Sequence, residues 1–427
     1  MKKSIWTSAL AMLLVIATML TLVACGKEEQ KEEEQTKETT SVSAYKSKGE
    51  YQTLADPVSW EDINAIPIKK TGMSIDELKS ICVDFFRYSK TAVWIPDAKY
   101  EVVKEDKVQR TMEEGKVYGG LPYVGLASGN IYRLMDYIDP ETGVGDITAA
   151  GENPKLFGNQ CSIGAYWGWA RVINSADYNW TERMTHANGF PRIGPYTYSD
   201  QLINYKDCST RKICRDNGTE TMYESYAELK KGDGIVYYTT AGHVVMITED
   251  AHVERKADGT IDPRNSYVMV LDQATVWMDA INAAGDKYTH ESTVDGKWTF
   301  GKLFTENYLP FTYAEWLGTD PIEETEYSFS ISGDSVKVSD LQEGKATCNY
   351  GLCDMYAIVK DSKGNEVYKL ASRATSAGMK SLSFSGTTTS WGSLEELDKK
   401  KDYTVEVVLQ IGTGERPTIW SGKLVLE

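Results

Sequence analysis

Positive charge is scarce in this chain of 427 residues: 46 lysines and arginines stand against 62 aspartates and glutamates, which gives a formal net charge of -16. Nucleic acid phosphates would be repelled by such a surface, so the charge argues against a nucleic acid partner. Beyond the first 25 residues the sequence also lacks any apolar stretch long enough to cross a bilayer. The full chain is 41% hydrophobic, and the part beyond these 25 residues is longer than one core usually holds, so two domains are expected.

Cysteine and histidine are also rare, with seven and four residues. The close pairs Cys208/Cys214 and Cys348/Cys353 lack the Cys-x-x-Cys spacing that suggests zinc or redox work, so no metal or other cofactor is expected. In an oxidising exterior each pair is either a disulfide or two free thiols, and the sequence leaves both open.

The N-terminal segment predicts where the protein resides. Lys2 and Lys3 precede an apolar run from Ala9 to Ala24, which ends in Leu-Val-Ala followed by Cys25. Residues 1–25 are therefore expected to be a lipoprotein signal peptide, with Cys25 lipidated after cleavage at its amino side. Residues 26–50 are charged and polar with almost nothing to bury, which predicts a disordered tether. We expect a protein held by its lipid at the extracellular face of a bacterial cell membrane.

The pattern of the remaining sequence changes near residue 324. Residues 51–323 combine helices with three apolar strands, at 234–239, 243–248 and 267–271. Within them, 175–221 is polar with little periodicity, and we interpret it as an insertion that shapes one wall of a cleft. Residues 324–427 show short alternating strands between Gly, Asp and Ser turns, which predicts an immunoglobulin-like β-sandwich that acts as a spacer or binding module. The expected fold class is α+β.

One thiol stands at an unusual place. The helix predicted to begin at Cys161 is apolar on nearly every face, with Gly164 and Gly168 four residues apart, so it should be buried and pack closely on a sheet. Cys161 is then either one more buried thiol or a reactive one. Its position in the first turn, after Gly158-Asn159-Gln160, favours the second interpretation, because unpaired amides and the helix dipole stabilise a thiolate there.

A histidine follows at the start of a strand. His243 comes after Ala241-Gly242 and opens an apolar strand, so its ring can project into a cleft; a purely structural histidine is the alternative. The next strand offers Asp272 and Gln273, either of which could accept the imidazole proton. Only one of them can do so, because neighbouring strand residues face opposite ways. A cysteine followed later in the sequence by a histidine is the order that a cysteine hydrolase with a Cys-His pair needs.

Three motifs in residues 110–280 resemble those of CHAP-type amidases and NlpC-type peptidases, which are papain-like bacterial cell-wall hydrolases. They are Gly158-Asn159-Gln160-Cys161-Ser162, the Lys231-Gly232-Asp233 turn with Gly242-His243-Val244, and Val270-Leu271-Asp272-Gln273. The Pro-Tyr turn between Gly120 and Gly125 is similar to the NlpC branch, whereas the Gln before the cysteine is closer to the CHAP branch.

The resemblance implies a papain-like catalytic domain with Cys161 as nucleophile, His243 as general base and then acid, and Asp272 as its orienter. Three further residues would line the substrate or oxyanion site: Gln160, Tyr123 and Gln273. The expected reaction is hydrolysis of an amide bond, in peptidoglycan peptides or in another extracellular peptide, without a cofactor. Two other hypotheses stay open: a non-catalytic surface lipoprotein that binds a partner on this scaffold, and acyl transfer by the same three residues.

Overall fold

A computed structural model describes residues 49–104, 107–125, 128–146, 158–176, 181–185 and 188–426. The described chain is a mixed α+β fold with several sheets. The predicted signal peptide with Cys25 and most of the predicted tether lie outside these residues. Among the described helices, none combines the length and the apolar character that a bilayer crossing requires.

The helices of the described residues follow from local caps and apolar patterns. Ser74 and Glu77 form a reciprocal capping box at the start of the second helix. Most other helices begin after a Ser, Thr or Asn cap, but the helix of Cys161 follows Gln160, which makes no side-chain cap. The helices are α1 (Trp60–Ala65), α2 (Ile75–Thr91), α3 (Ile131–Leu134), α4 (Cys161–Trp169), α5 (Thr210–Ala227), α6 (Phe300–Thr305) and α7 (Val338–Gln342).

An eight-stranded sheet forms the centre of the N-terminal part. Its strands run in the order β10-β6-β7-β8-β9-β4-β1-β5, antiparallel from β10 to β9, with parallel pairs at β9/β4 and β1/β5. The three predicted strands correspond to β6, β7 and the first part of β8. The strands of this part, including the separate β2/β3 hairpin, are β1 (Val93–Pro96), β2 (Tyr100–Lys104), β3 (Lys107–Met112), β4 (Tyr118–Gly119), β5 (Val144–Gly145), β6 (Gly234–Tyr238), β7 (Gly242–Ile247), β8 (Tyr267–Ile281), β9 (Lys287–Thr299) and β10 (Leu309–Phe311).

Helix α4 packs between α2 and the central sheet, as the small residues in its sequence predict. A Cβ atom on Gly168 would lie 2.7 Å from the Met246 methyl group on β7 and 3.0 Å from Cβ of Phe86 on α2. A side chain at this position would therefore push the helix away from the sheet. Glycine at 168 lets the backbone of α4 approach both elements closely.

The segment 175–221 differs from its prediction as an irregular insertion, because its last part belongs to α5. This helix is capped by Ser209 and interrupted at Gly218, whose φ of 77° lies in the left-handed region. The break shifts the phase of the apolar positions, so Ile213 and Met222 belong to two short stripes instead of one continuous stripe. The sequence therefore shows no extended helical period across α5.

The C-terminal part consists of two sheets around a shared core. One sheet has the order β11-β13-β16 and the other β12-β19-β18-β14-β15-β17. Side chains from both, such as Leu382 and Val407, join one hydrophobic cluster. The short strands predicted within residues 324–427 correspond to β11, β14, β16, β18 and β19. The strands are β11 (Tyr327–Phe329), β12 (Ser335–Lys337), β13 (Lys345–Cys348), β14 (Leu352–Lys360), β15 (Glu366–Arg373), β16 (Ser381–Ser383), β17 (Thr388–Trp391), β18 (Tyr403–Ile411) and β19 (Thr418–Val425).

These C-terminal strands pack directly on the far side of α4. A Cβ on Gly351 would collide with the Tyr166 hydroxyl, and a Cβ on Gly412 would lie 3.3 Å from the Trp167 ring. The Tyr350 hydroxyl donates to the Val172 carbonyl at 3.0 Å, just beyond the helix. The sequence predicts a spacer or binding module here, and the structure adds that this region also covers the helix that carries Cys161.

A buried network of charges joins the two parts. Arg133 on α3 donates to the Asp354 carboxylate on β14 at 3.0 Å. Asp136 accepts from Lys369 at 2.8 Å and from Arg373 at 2.6 Å, both on β15. Burial acts to raise the pKa of Asp136, but the two cations outweigh it and hold that pKa well below its usual range. The carboxylate is therefore an essential counter-charge for two buried cations.

We expect Asp136→Asn to lower the free energy of unfolding by about 3–5 kcal/mol, because buried Lys369 would lose its carboxylate partner and Arg373 would keep only Asp354, at 3.4 Å. Chemical denaturation measures the loss. The control is Glu406→Gln, which breaks the more exposed pair with Lys360 at 2.8 Å and should cost about 1 kcal/mol or less. Equal losses in the two variants would contradict a role of the network in joining the two parts.

Candidate active site

Cys161 is the first residue of α4, and its side chain is almost completely buried, with 6% of the residue exposed. The backbone amide of Val244 on β7 donates a hydrogen bond to its sulfur. The first-turn amides of α4 lie beside the same atom, where the positive end of the helix dipole favours an anion. The thiol is thus shielded from solvent but surrounded by hydrogen-bond donors.

His243 connects this thiol to a carboxylate. It is the second residue of β7, and its Nε2 lies 2.6 Å from Oδ1 of Asp272 on β8. The imidazole also forms a hydrogen bond with Cys161. Since Nε2 is engaged by Asp272, Nδ1 is the ring nitrogen that faces the sulfur. The structure therefore brings Cys161, His243 and Asp272 together in the order thiol, imidazole and carboxylate.

The electrostatics of the three groups favour an ion pair. Burial acts to raise the pKa of Cys161, but the hydrogen bond and charge of His243 outweigh it, so the thiol pKa is lowered. Burial acts to lower the pKa of His243, but the charge and hydrogen bond of Asp272 raise it well above its usual value. The lowered pKa of the thiol favours the thiolate, and the raised pKa of the imidazole favours the imidazolium. The two charged forms are therefore favoured together.

Cys161 differs in this from the other described cysteines. All six are free thiols, so the two close pairs that the sequence left open are not disulfides here. Burial raises the pKa of the remaining five, to about 12 in the case of Cys214. These five are Cys82, Cys208, Cys214, Cys348 and Cys353. Cys161 alone among the described thiols has a lowered pKa.

The remaining histidines lie in other environments. His252 pairs with Glu254 at 3.1 Å and stacks on Tyr267. His290 is a buried residue of β9 whose Nδ1 lies 2.6 Å from the Ser292 hydroxyl. His186 lies outside the described residues. Among the described histidines, His243 is the one that contacts Cys161.

Tyr123 and Gln160 both lie beside the thiol. The Tyr123 hydroxyl forms a hydrogen bond with Cys161. Burial, followed by the charges of Cys161 and Asp272, raises the pKa of Tyr123 far above its usual value, so the phenol keeps its proton and donates it to the sulfur. Gln160, directly before Cys161, is half-buried and donates to the Ser162 hydroxyl at 3.4 Å. Tyr123 therefore touches the reactive atom, and Gln160 adjoins it along the chain.

Gln273 occupies a different place from the one expected. It is fully buried, with 0% exposed, and its amide nitrogen lies 3.4 Å from the Leu121 carbonyl and 3.5 Å from the Asn159 carbonyl. Because side chains alternate along β8, Gln273 points away from His243 when Asp272 points toward it. A position behind α4 does not suit a residue that lines a substrate site, so this expectation was wrong.

A buried ion pair fixes the backbone of Tyr123. The Glu291 carboxylate on β9 accepts from the Tyr123 amide at 2.7 Å and pairs with Arg110 on β3. Burial raises the pKa of Glu291 to about 6. The Arg110 guanidinium also lies 5.9 Å from the centre of the Tyr123 ring. These residues were not identified in the sequence, where a polar alternating strand gave no sign of burial.

The far wall of the site includes part of the predicted insertion. A Cβ on Gly242, the neighbour of His243, would lie 2.7 Å from Cβ of Thr181. Tyr237 on β6 lies 6.2 Å from the His243 ring, and Tyr308 packs edge-on against Tyr237 at 5.2 Å. Thr181 and Tyr237 thus border the imidazole, and Tyr308 packs against Tyr237.

Comparison with models of known families, with curated proteins and with solved structures finds no match for this chain. The resemblance of its three motifs to cell-wall hydrolases therefore remains a prediction. The contacts around Cys161 are the observations on which a function can be argued.

We expect iodoacetamide to label Cys161 selectively below neutral pH, since it is the described thiol with a lowered pKa. Peptide mapping by mass spectrometry identifies the labelled residue. His243→Ala removes the group that stabilises the thiolate and should slow labelling by about tenfold or more. The matched control is His252→Ala, which alters an exposed histidine elsewhere. Equal labelling in the two variants would show that His243 does not activate Cys161.

Proposed function

We propose that this protein is a lipid-anchored, extracytoplasmic cysteine hydrolase that cleaves an amide bond. The contact of Cys161 with a histidine that is itself held by a carboxylate at 2.6 Å carries the proposal. A nucleophile, a base and an orienter in mutual hydrogen-bond reach form the arrangement used in covalent catalysis of acyl transfer. The lipid anchor is inferred from residues 1–25, which place Cys25 at the cleavage position of a lipoprotein.

The fold supports a papain-like catalytic domain for this function. The nucleophile stands at the start of α4, which packs on an antiparallel part of the central sheet, and the histidine and carboxylate come from adjacent strands β7 and β8. For the C-terminal part, two sheets with a shared core support an immunoglobulin-like sandwich. The motif resemblance favours peptides of peptidoglycan as substrate, with another extracellular peptide as the alternative.

The reaction proceeds in two steps in this proposal. The Cys161 thiolate attacks the amide carbonyl carbon, and the imidazolium of His243 gives its proton to the nitrogen as the carbon–nitrogen bond breaks. The first product is an amine, and the acyl group stays on the sulfur as a thioester. His243 then takes a proton from water, the hydroxide attacks the thioester, and the acid and the thiolate are released. Asp272 keeps the imidazole in the required tautomer throughout.

The developing negative charge on the carbonyl oxygen needs donors near the sulfur. In this proposal the backbone amide of Cys161, at the start of α4, and the side-chain amide of Gln160, directly before it, would supply them. Tyr123 donates to the sulfur and so lies within reach of the same region. We assign these three groups to stabilisation of the anionic intermediate.

The decisive experiment incubates the full-length protein in detergent with purified peptidoglycan and with a mixed peptide pool, and mass spectrometry identifies the products. New amine and carboxylate ends are expected with the wild-type protein and should disappear in Cys161→Ala. Asp272→Asn should retain the fold but lower kcat by on the order of a hundredfold or more, because the imidazole loses its orienter. Absence of products from both substrates would instead favour the non-catalytic binding protein.

The pH dependence follows from the two shifted groups. Activity should rise as Cys161 loses its proton, below the usual range of a thiol, and fall as His243 loses its proton, above the usual range of a histidine. Burial alone would lower the pKa of His243, and Asp272 reverses that effect, so Asp272→Asn should move the alkaline limb of kcat/KM to lower pH. An alkaline limb that stays in place would assign that limb to another group.

A further inference from the structure

Lys90 is a buried cation that the catalytic proposal does not use. It lies in the last turn of α2 and only 1% of it is exposed. It continues the buried stripe of Cys82 and Phe86 at four-residue spacing, and its Nζ lies 5.3 Å from the centre of the Phe86 ring. A lysine in an apolar helix contact is costly unless its ammonium group has partners, so the partners indicate its role.

The partners of Lys90 come from two segments of the candidate active site. Its Nζ donates to Oδ1 of Asn159 at 3.2 Å and to Oε1 of Gln273. Gln273 in turn directs its amide nitrogen to the carbonyls of Asn159 and Leu121, at 3.5 and 3.4 Å. A small network behind α4 therefore connects three chain segments that are far apart in sequence.

Each of these segments carries a residue of the site. Asn159 precedes the nucleophile Cys161 by two positions, Gln273 directly follows Asp272, and Leu121 precedes Tyr123 by two positions. We propose that Lys90 is a positioning residue, which holds the nucleophile, the triad carboxylate and Tyr123 in register through Asn159 and Gln273. This inference rests on the proposed function, since the residues it positions are those of the proposed hydrolase.

The charges around Lys90 fit such a role. The acidic groups that face it are Asp272 on β8 and Glu291 on β9, and His290 faces it from β9 as well. Burial, partly offset by the two carboxylates, lowers the pKa of Lys90 to about 7. The ammonium group therefore loses its proton near neutral pH, and with it one hydrogen-bond donor and the cation that faces Asp272.

A second buried lysine on the same helix provides a matched control. Lys79 lies eleven positions earlier on α2 and is buried as well, with its Nζ 3.6 Å from Asp233 and 5.7 Å from the centre of the Trp316 ring. It thus has a buried carboxylate partner at a turn of the chain, away from Asn159 and Gln273. Lys79→Met removes another buried amine from α2 without touching the network of Lys90, Asn159 and Gln273.

The test compares Lys90→Met with Lys79→Met in the full-length protein in detergent. The readout is the rate of Cys161 alkylation by iodoacetamide as a function of pH, with circular dichroism as the measure of folding. We expect Lys90→Met to slow alkylation by roughly tenfold to a hundredfold and to change its pH profile near neutrality, because a small displacement of the reacting groups is enough for such a loss. Lys79→Met should leave both unchanged. Identical profiles in the two variants overturn the inference.

A double variant keeps the inference testable if Lys90→Met does not fold. Lys90→Met with Gln273→Leu replaces both members of the Lys90–Gln273 contact by apolar groups, so Oε1 of Gln273 is not left buried without its donor. It should fold, and iodoacetamide should still label Cys161 slowly. Labelling at the wild-type rate overturns the inference. Alkylation needs no substrate, so slow labelling in these variants beside an inactive wild-type protein would reject the hydrolase and retain the positioning role. Cleavage by the wild type together with unchanged labelling in these variants would support the hydrolase and reject the positioning role of Lys90.

Discussion

Helix α4 has to be covered on two sides at once, because its side chains are apolar nearly all the way around and Cys161 stands at its first turn. Ala165 and Trp169 pack into the core that α2 and the central sheet share. Tyr166 and Trp167 pack on the other side, in a cluster that includes Cys353 of the C-terminal strands. The helix cannot slide or rotate without opening one of these cores, so packing far from the sulfur fixes where the sulfur lies. A preorganised nucleophile requires rigidity of this kind.

The same dense packing explains why the ionisable groups near Cys161 behave unusually. Exclusion of water raises the pKa of an isolated thiol, as it does at Cys82 and Cys214. At Cys161 the buried imidazolium of His243 reverses the direction, because opposite charges attract strongly where little water screens them. Buried charges are stable only when they are paired. The site accordingly pairs Cys161 with His243, and the Glu291 carboxylate with the Arg110 guanidinium. Burial and pairing together explain why the pKa of Cys161 is lowered while the pKa values of Cys82 and Cys214 are raised.

The parts of this arrangement that depend on local pattern could be predicted from the sequence. The start of α4 at Cys161 follows from a polar turn before an apolar run, and the opposite orientations of Asp272 and Gln273 follow from strand alternation. Whether Asp272 or Gln273 contacts His243 depends on the pairing of β7 with β8. That register cannot be predicted from the sequence of either strand alone. Lys90 escaped prediction because a lysine at a helix end is usually solvated, and only the tertiary contacts of α2 bury it.

The C-terminal strands are the clearest case in which tertiary structure changes an interpretation. Their alternating pattern indicates a β-sandwich but does not say what the ends of its central strands cover. The structure places Gly351 and Gly412 against α4 and buries Arg133 with Asp354 across the same junction. Removing these strands would expose an apolar side of α4 and leave buried charges without partners, so the region stabilises the N-terminal part whatever else it binds. Any partner of the C-terminal part must therefore use a surface other than the one that holds α4 in place.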